Sequence, residues 1–233
     1  MITKDLHKEL LVKILKEIFS NADIAGCLAF KGGTAAMLFY GLDRMSVDLD
    51  FDLLNESHAN EVFLTVNEIL EKYGVVKEAS NKRFNLFFLL SYENKVKNAH
   101  NIKVDINKRA FGSSYKVEHY LGIPMKVMVE EDMAAHKLVA MYQRIGKASR
   151  DIYDVWFFLQ NSWPINKKII EQRMEMSYKE FLKKCIEVLE KLPDRNILDG
   201  VGELLKEKQK AWARTKLRTE TIFLLSLALS NED

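Results

Sequence analysis

Cysteine, proline and glycine are all scarce in this chain of 233 residues, with 2 Cys, 3 Pro and 10 Gly. Cys27 and Cys185 are too few and too far apart in sequence for a disulfide scaffold or a four-ligand zinc site, and a reduced, cytoplasmic setting fits them. The low glycine and proline content excludes a collagen-like chain. With 48% hydrophobic and 29% charged residues there is enough apolar material for a core, which excludes a disordered one. Long hydrophobic runs are missing too: the longest near the C-terminus, 222–229, is far short of the roughly 20 residues that span a bilayer. The N-terminus mixes Lys4, Asp5, Leu6, His7, Lys8 and Glu9 and shows no apolar core of a signal peptide, so no membrane partner is expected. No charge of one sign dominates either. The formal net charge is +2, so composition announces no nucleic-acid binder and local distribution decides.

Hydrophobic spacing supplies the elements. Leu6, Leu10, Ile14 and Ile18 recur every four residues, which predicts an amphipathic helix over 5–19. Leu28–Phe30 reads as a short strand ending in Lys31-Gly32-Gly33-Thr34, with a helix over 35–40 behind it. From Val47 to Leu53 the chain alternates strictly, with Asp48, Asp50 and Asp52 opposite Val47, Leu49, Phe51 and Leu53, as in a strand with one buried face. A helix follows over 59–73, then an apolar run over 84–90 that reads as a strand covered on both faces, although its periodicity also allows a helix, then an alternating strand over 102–106. After Pro124 helical spacing prevails, over 130–145, 151–160, 166–172, 178–191, 199–213 and 217–229. The expected class is α/β in the α+β sense, a mixed sheet with helices followed by a helical C-terminal half. The domains expected are a core over 1–160 and a helical lobe over 161–233, divided near Asn161-Ser162-Trp163-Pro164.

The chemistry concentrates in two places. On a strand, Asp48 and Asp50 project from one face about 7 Å apart, and two like charges so placed are destabilising unless a cation joins them. Magnesium is held by one or two carboxylates together with substrate phosphates. The Gly32-Gly33 pair gives backbone that approaches a ligand closely, and the helix N-terminus behind it attracts an anion. A phosphate cradle beside a carboxylate pair is equipment for phosphoryl or nucleotidyl transfer. The competing reading is an edge strand decorated with aspartates, against which stands the poor strand propensity of aspartate. Asp105, on the polar side of a later strand, is the natural third carboxylate, as metal ligand or general base; otherwise Lys103 and Asp105 merely decorate that strand. Lys137 and Arg144 share a helical stripe and either meet a phosphate together or face water. Asp151 and Asp154 share a side of the next helix, where Asp151 either joins the site or favours the helix dipole.

Taken in order, Lys31-Gly32-Gly33-Thr34, Arg44-x-Ser46-x-Asp48-x-Asp50-Phe51, Lys103-x-Asp105, Glu131-Asp132-x-x-Ala135-x-Lys137-Leu138-x-Ala140 and Arg150-Asp151-x-x-Asp154 resemble the AbiEii/AbiGii-type nucleotidyltransferase toxins of the polymerase-beta-like superfamily. The resemblance covers residues 31–154. It implies a twisted sheet flanked by helices, a helical C-terminal lobe, and a site for Mg²⁺ with an NTP as substrate. It makes Asp48 and Asp50 metal ligands, with Asp105 as the third acid of the wider superfamily. It makes Lys31, Gly32, Gly33, Thr34, Arg44, Ser46 and Arg150 nucleotide-binding residues, puts Lys137 on the triphosphate, and completes the catalytic set with Asp151.

The same resemblance implies the toxin half of a toxin–antitoxin or abortive-infection pair, with an antitoxin protein as partner and the tRNA 3′ end as acceptor. Independently, Lys206, Lys208, Lys210, Arg214, Lys216 and Arg218 form a basic run around Trp212, either a solvated helix face or a surface for phosphates and a stacked base. Lys82-Arg83 and Lys108-Arg109 add further basic groups. Two other functions fit the same motifs. A small-molecule nucleotidyltransferase would show an acidic pocket for a cationic acceptor, and a non-catalytic binding protein would keep only the fold.

Overall fold

The computed structural model describes residues 4–92 and 101–232. In chain order these form α1 (Lys4–Ser20), β1 (Leu28–Lys31), α2 (Gly32–Phe39), β2 (Leu49–Leu53), α3 (Ala59–Glu71), β3 (Val75–Asn81), β4 (Asn85–Ser91), β5 (Asn101–Asn107), β6 (Tyr115–Tyr120) and β7 (Ile123–Met128). Helices follow: α4 (Glu130–Gln143), α5 (Arg150–Gln160), α6 (Lys167–Met174), α7 (Tyr178–Glu190), α8 (Glu207–Trp212) and α9 (Arg218–Ser230). The chain divides into two compact units. The sheet with α1–α3 makes the first, and α4–α9 with the segments Leu42–Arg44 and Phe111–Ser113 make the second. The division therefore falls at Met128–Val129, and α4 and α5, expected within a core over 1–160, belong to the second unit.

In the first unit the strands run β3-β4-β5-β2-β1-β7-β6, a mixed sheet in which β2–β5 and β1–β7 are parallel and the other pairs antiparallel. Strict alternation splits β2, β4 and β5 into two faces. Leu49, Phe51, Leu86, Phe88, Val104 and Ile106 are fully buried on one of them. Helices α1 and α3 cover that face: Phe19 meets Phe51 with ring centroids 6.1 Å apart, and Phe63 stacks on Phe88 at 5.1 Å. Each such side chain contributes about 1.5–3 kcal/mol by leaving water, so the pattern fixes which face points inward. The opposite face carries Asn85, Phe87, Asp105, Asn107, Asp50 and Asp52. The strand over 84–90 is thus covered on one face only, and Phe84, just before β4, is 50% exposed.

In the second unit Leu138, Ile152, Phe158, Phe181, Leu189 and Leu225 are buried. Ser177 starts α7 with a capping box, its hydroxyl accepting from the Glu180 N–H while the Glu180 carboxylate accepts from the Ser177 N–H. The helix expected over 199–213 is a short 3-10 turn, Gly202–Leu204, and then α8, which runs through a π turn (Ala213–Leu217) into α9. Gly200 at φ +68 and extended Leu205 break the periodic pattern there.

Three strands fall where the hydrophobic spacing predicts no element. β3 is an edge strand exposed along most of its length, and β6 is the other edge. β7 contains Pro124, which the sequence places at the start of the helical half. A proline fits because β7 registers with β1 only at Phe30↔Val127, three residues further on.

Candidate active site

β2 carries the aspartates to the middle of the sheet. Its neighbours are β1 and β5, so the edge-strand reading is overturned. Lys31 is in register with Asp50 across β1–β2, and Asp50 with Asp105 across β2–β5. Paired residues share a face, so the two carboxylates stand on neighbouring strands about 4.8 Å apart at the backbone. Asp48 lies one residue ahead of β2.

Gly32 opens α2 with φ +78, a left-handed backbone that glycine adopts freely. A Cβ built there would lie 2.5 Å from Asp50 Oδ2, so the Asp50 carboxylate occupies the space that any other residue's side chain would need. Thr34, fully buried on the first turn of α2, donates to the Asp48 carbonyl, and its Oγ1 lies 3.0 Å from Ser46 Oγ. The diglycine turn and the Ser46–Asp48 segment are thereby tied together. Thr34, expected to meet the nucleotide, spends its hydroxyl on this tie, and Ser46 is 7% exposed beside it.

Asp52 has a different task. It is buried, and it accepts from Lys31 Nζ at 2.5 Å, Asn107 Nδ2 at 2.8 Å and Tyr115 Oη at 2.9 Å. Lys31, expected on a phosphate, is held in this ion pair. Asn107 and Tyr115 went unnoticed in the sequence because they reach Asp52 from other strands; Asp52 itself was visible in the alternation. Asp105 has a carboxylate held by Lys103 at 3.1 Å and Asn85 at 3.2 Å. Among the described residues no three His, Cys, Asp or Glu side chains gather closely enough to cage a metal, so the expected trio of Asp48, Asp50 and Asp105 is not preassembled. The hard oxygen donors at 48 and 50 still suit magnesium, which needs only one or two protein carboxylates when phosphates and water complete its shell.

The second unit contains a buried ionic group. Arg44, 3% exposed, forms a fork on Asp154, with Nε to Oδ1 at 2.5 Å and Nη2 to Oδ2 at 2.7 Å. Lys137 Nζ lies 2.8 Å from Asp154 Oδ2 and 3.2 Å from Asp151 Oδ1. Arg144 Nη2 is 2.8 Å from Asp151 Oδ2, an ion pair rather than an aligned hydrogen bond. Both aspartates are fully buried. Burial opposes charge on Arg44, Lys137 and Asp154, yet attraction wins: Lys137 and Arg44 are raised, and Arg44 and Lys137 hold the Asp154 carboxyl down to about 2. The i,i+3 spacing of Asp151 and Asp154 does bring them to one side, and Lys137 and Arg144 do converge. They converge on Asp151, however, and Arg44 is clamped inside this unit on Asp154, a residue given no role from sequence although it closes the Arg150–Asp154 motif. Arg150 stands half-buried at the start of α5.

The basic run over 206–218 is partly spent. Lys210 pairs with Glu207, Arg218 with Asp194, and Trp212 packs on Trp156 with ring centroids 4.2 Å apart, so its ring is no free stacking surface. Lys82-Arg83 and Lys108-Arg109 do meet: the Lys108 N–H donates to the Phe84 carbonyl, and Lys108 Nζ to the Lys82 carbonyl at 2.9 Å.

Gly32→Ala is expected to cost about 1–3 kcal/mol, from the left-handed backbone and the displaced carboxylate together. It should also reduce whatever activity depends on Asp50. Thermal melting with a parallel activity measurement checks both, and a variant as active and stable as the parent would show that the close approach is incidental.

A family model described as "Nucleotidyl transferase AbiEii toxin, Type IV TA system" matches residues 13–222. No curated protein sequence matches the chain. Among solved structures, a proposed nucleotidyltransferase from Helicobacter pylori is similar at 19% identity with a TM-score of 0.66, covering 100% of this chain and 99% of that one. MenT4, a nucleotidyltransferase toxin from Mycobacterium tuberculosis, is similar at 19% identity with a TM-score of 0.59, covering 98% of this chain and 86% of that one. At these identities the likeness shows the fold alone.

Proposed function

Because the chain belongs to the AbiEii nucleotidyltransferase toxin family of type IV toxin–antitoxin systems, we propose that it transfers a nucleoside monophosphate from an NTP to the 3′ end of an RNA, tRNA being the acceptor that the family resemblance implies. The observation that carries this reading is the register of Asp50 with Asp105, with Gly32 pressed against the Asp50 carboxylate. Asp48 and Asp50 would hold Mg²⁺, which supplies charge neutralisation on the triphosphate when bound. The N–H groups of the Gly32–Gly33 turn receive phosphate oxygens. The acceptor hydroxyl oxygen forms a bond to the α-phosphorus as the bond to the leaving pyrophosphate breaks, and its proton passes to Asp105. Lys137 gives two of its three donors to Asp151 and Asp154 and so helps to hold the buried group of its own unit. Arg44, Thr34 and Lys31 act by positioning, through Asp154, the Asp48 carbonyl and Asp52.

Basic groups at Lys82-Arg83 and Lys108-Arg109, in the unit that carries Asp105, favour an anionic acceptor over a small cation. Family membership implies an antitoxin partner. No helix among the described residues is long and apolar enough to cross a membrane; the cytoplasmic setting proposed for the protein rests on its scarce cysteines alone. Incubating it with labelled NTPs, magnesium and total RNA is expected to label tRNA. Label found only in added aminoglycosides would replace this reading with small-molecule transfer.

A further inference from the structure

The polar face of the sheet continues past the carboxylates into an aromatic and cationic surface. Across β5–β4, Asp105 is in register with Phe87, so Asp50, Asp105 and Phe87 form one row on three neighbouring strands. Phe87 therefore stands roughly 10 Å from the Asp50 backbone, about two strand spacings. Lys82 Nζ lies 4.8 Å from the Phe87 ring centroid and Lys103 Nζ 5.9 Å. Lys82 also pairs with Glu78 at 3.3 Å, and Lys103 with Asp105.

Beyond them, in the turn between β3 and β4, Phe84 is 50% exposed and has the guanidinium of Arg83 at 4.9 Å and that of Arg109 at 5.6 Å. The turn is built rather than loose. The Lys82 N–H donates to the Asn85 carbonyl, the Lys108 N–H to the Phe84 carbonyl, and Lys108 Nζ to the Lys82 carbonyl. A phenylalanine held half in water at a pinned turn between two arginines does nothing for the core. What it offers is a flat ring and two planar cations.

We infer that Arg83, Phe84 and Arg109 form the platform on which unpaired bases of the acceptor RNA stack as its 3′ end reaches Asp105. The inference rests on the reading of the protein as an RNA nucleotidyltransferase and gives that reading an approach path. Bases stack on aromatic rings and on guanidinium planes whatever their identity, and cations alongside take the phosphates. A stacked base displaces an exposed arginine from the Phe84 ring and releases it to a phosphate oxygen, so ring and charge are used together. Only an unpaired strand presents base faces, so the platform selects single-stranded ends over duplex.

The test uses the full chain and a fluorescein-labelled octauridylate, followed by anisotropy, beside steady-state transfer to tRNA. Phe84→Ala is expected to weaken octamer binding roughly 5- to 100-fold. It should raise KM for RNA by a similar factor while kcat and KM for the NTP stay as they are. Phe84→Trp should restore both, which a merely structural loss at this exposed turn would not allow. The double variant R83E/R109E should flatten the salt dependence of octamer binding by about one unit of slope per arginine lost, and binding of a duplex of the same length should ignore the changes at Phe84. Equal octamer binding and equal RNA KM in the parent and Phe84→Ala would overturn the assignment. So would polyglutamate binding that depends on Phe84 without octamer binding that does, since the face would then suit an acidic protein segment. If the parent transfers nothing to any RNA yet binds the octamer through Phe84, the transfer reading fails and the platform stands.

Discussion

With asparagine in place of Asp50, transfer of labelled nucleotide is expected to fall by about 10²–10³-fold or more, with the melting temperature close to that of the parent. The substitution keeps the side-chain volume beside Gly32 and removes only the charge. Asp50 and Asp105 are aligned on adjacent strands, and the amide removes one of two facing like charges while its oxygen can still accept a hydrogen bond where the carboxylate did. A metal-dependent reaction, in contrast, loses a hard ligand and the stabilisation of charge on the triphosphate. Asp48→Ala should behave alike, and if expression of the parent arrests growth, neither variant should. Incorporation of label into RNA, read beside circular dichroism, decides the matter. Equal labelling by parent and variants would remove carboxylate-assisted transfer from this site. A variant that is inactive because it is unfolded would show in the dichroism and would move Asp50 from chemistry to structure.

Much of this site was legible because its chemistry and its local periodicity coincide. Alternation over 47–53 placed three carboxylates on one face, and the structure keeps Asp50 and Asp52 there. A strand over 102–106 predicted Asp105 on a polar face, and the parallel register set it beside Asp50. Periodicity does not show what a side chain meets. Asp52 looks like Asp50 in sequence, yet Lys31, Asn107 and Tyr115 bury it as a structural anion. Thr34 and Arg44 occupy motif positions and look like ligand contacts, but their polar atoms are turned inward to Asp48 and Asp154. The edge strand β3 shows no apolar rhythm because its side chains are exposed along most of its length, whereas β6 does alternate, Tyr115 and Val117 against Lys116 and Glu118, over too short a run to stand out. Trp212 misled for the opposite reason: an aromatic among lysines suggests stacking on a ligand, whereas Trp156 already fills that place.

The buried group around Asp154 leads to the largest stability effect. Asp154→Ala leaves Arg44, 3% exposed, and Lys137 without their shared carboxylate. Breaking a buried pair from one side costs about 3–5 kcal/mol because the remaining charge stays out of water, which lowers Tm by roughly 10 °C for a chain of this length. Replacing both members of the fork, Asp154→Leu with Arg44→Met, should recover much of that loss, since Lys137 retains Asp151 and the orphaned guanidinium is gone. The pH dependence has a defined sign. Against the opposing effect of burial, Arg44 and Lys137 hold the Asp154 carboxyl down to about 2 in the folded chain, below the ordinary carboxylate range. Its contribution is therefore complete above about pH 4 and is lost as pH falls from there toward 2. Melting curves between pH 6 and pH 2.5 should show the parent losing its advantage over Asp154→Ala in that acid window alone. A gap between the two that is constant across the range would mean that the cost of the substitution comes from the cavity and not from the charge.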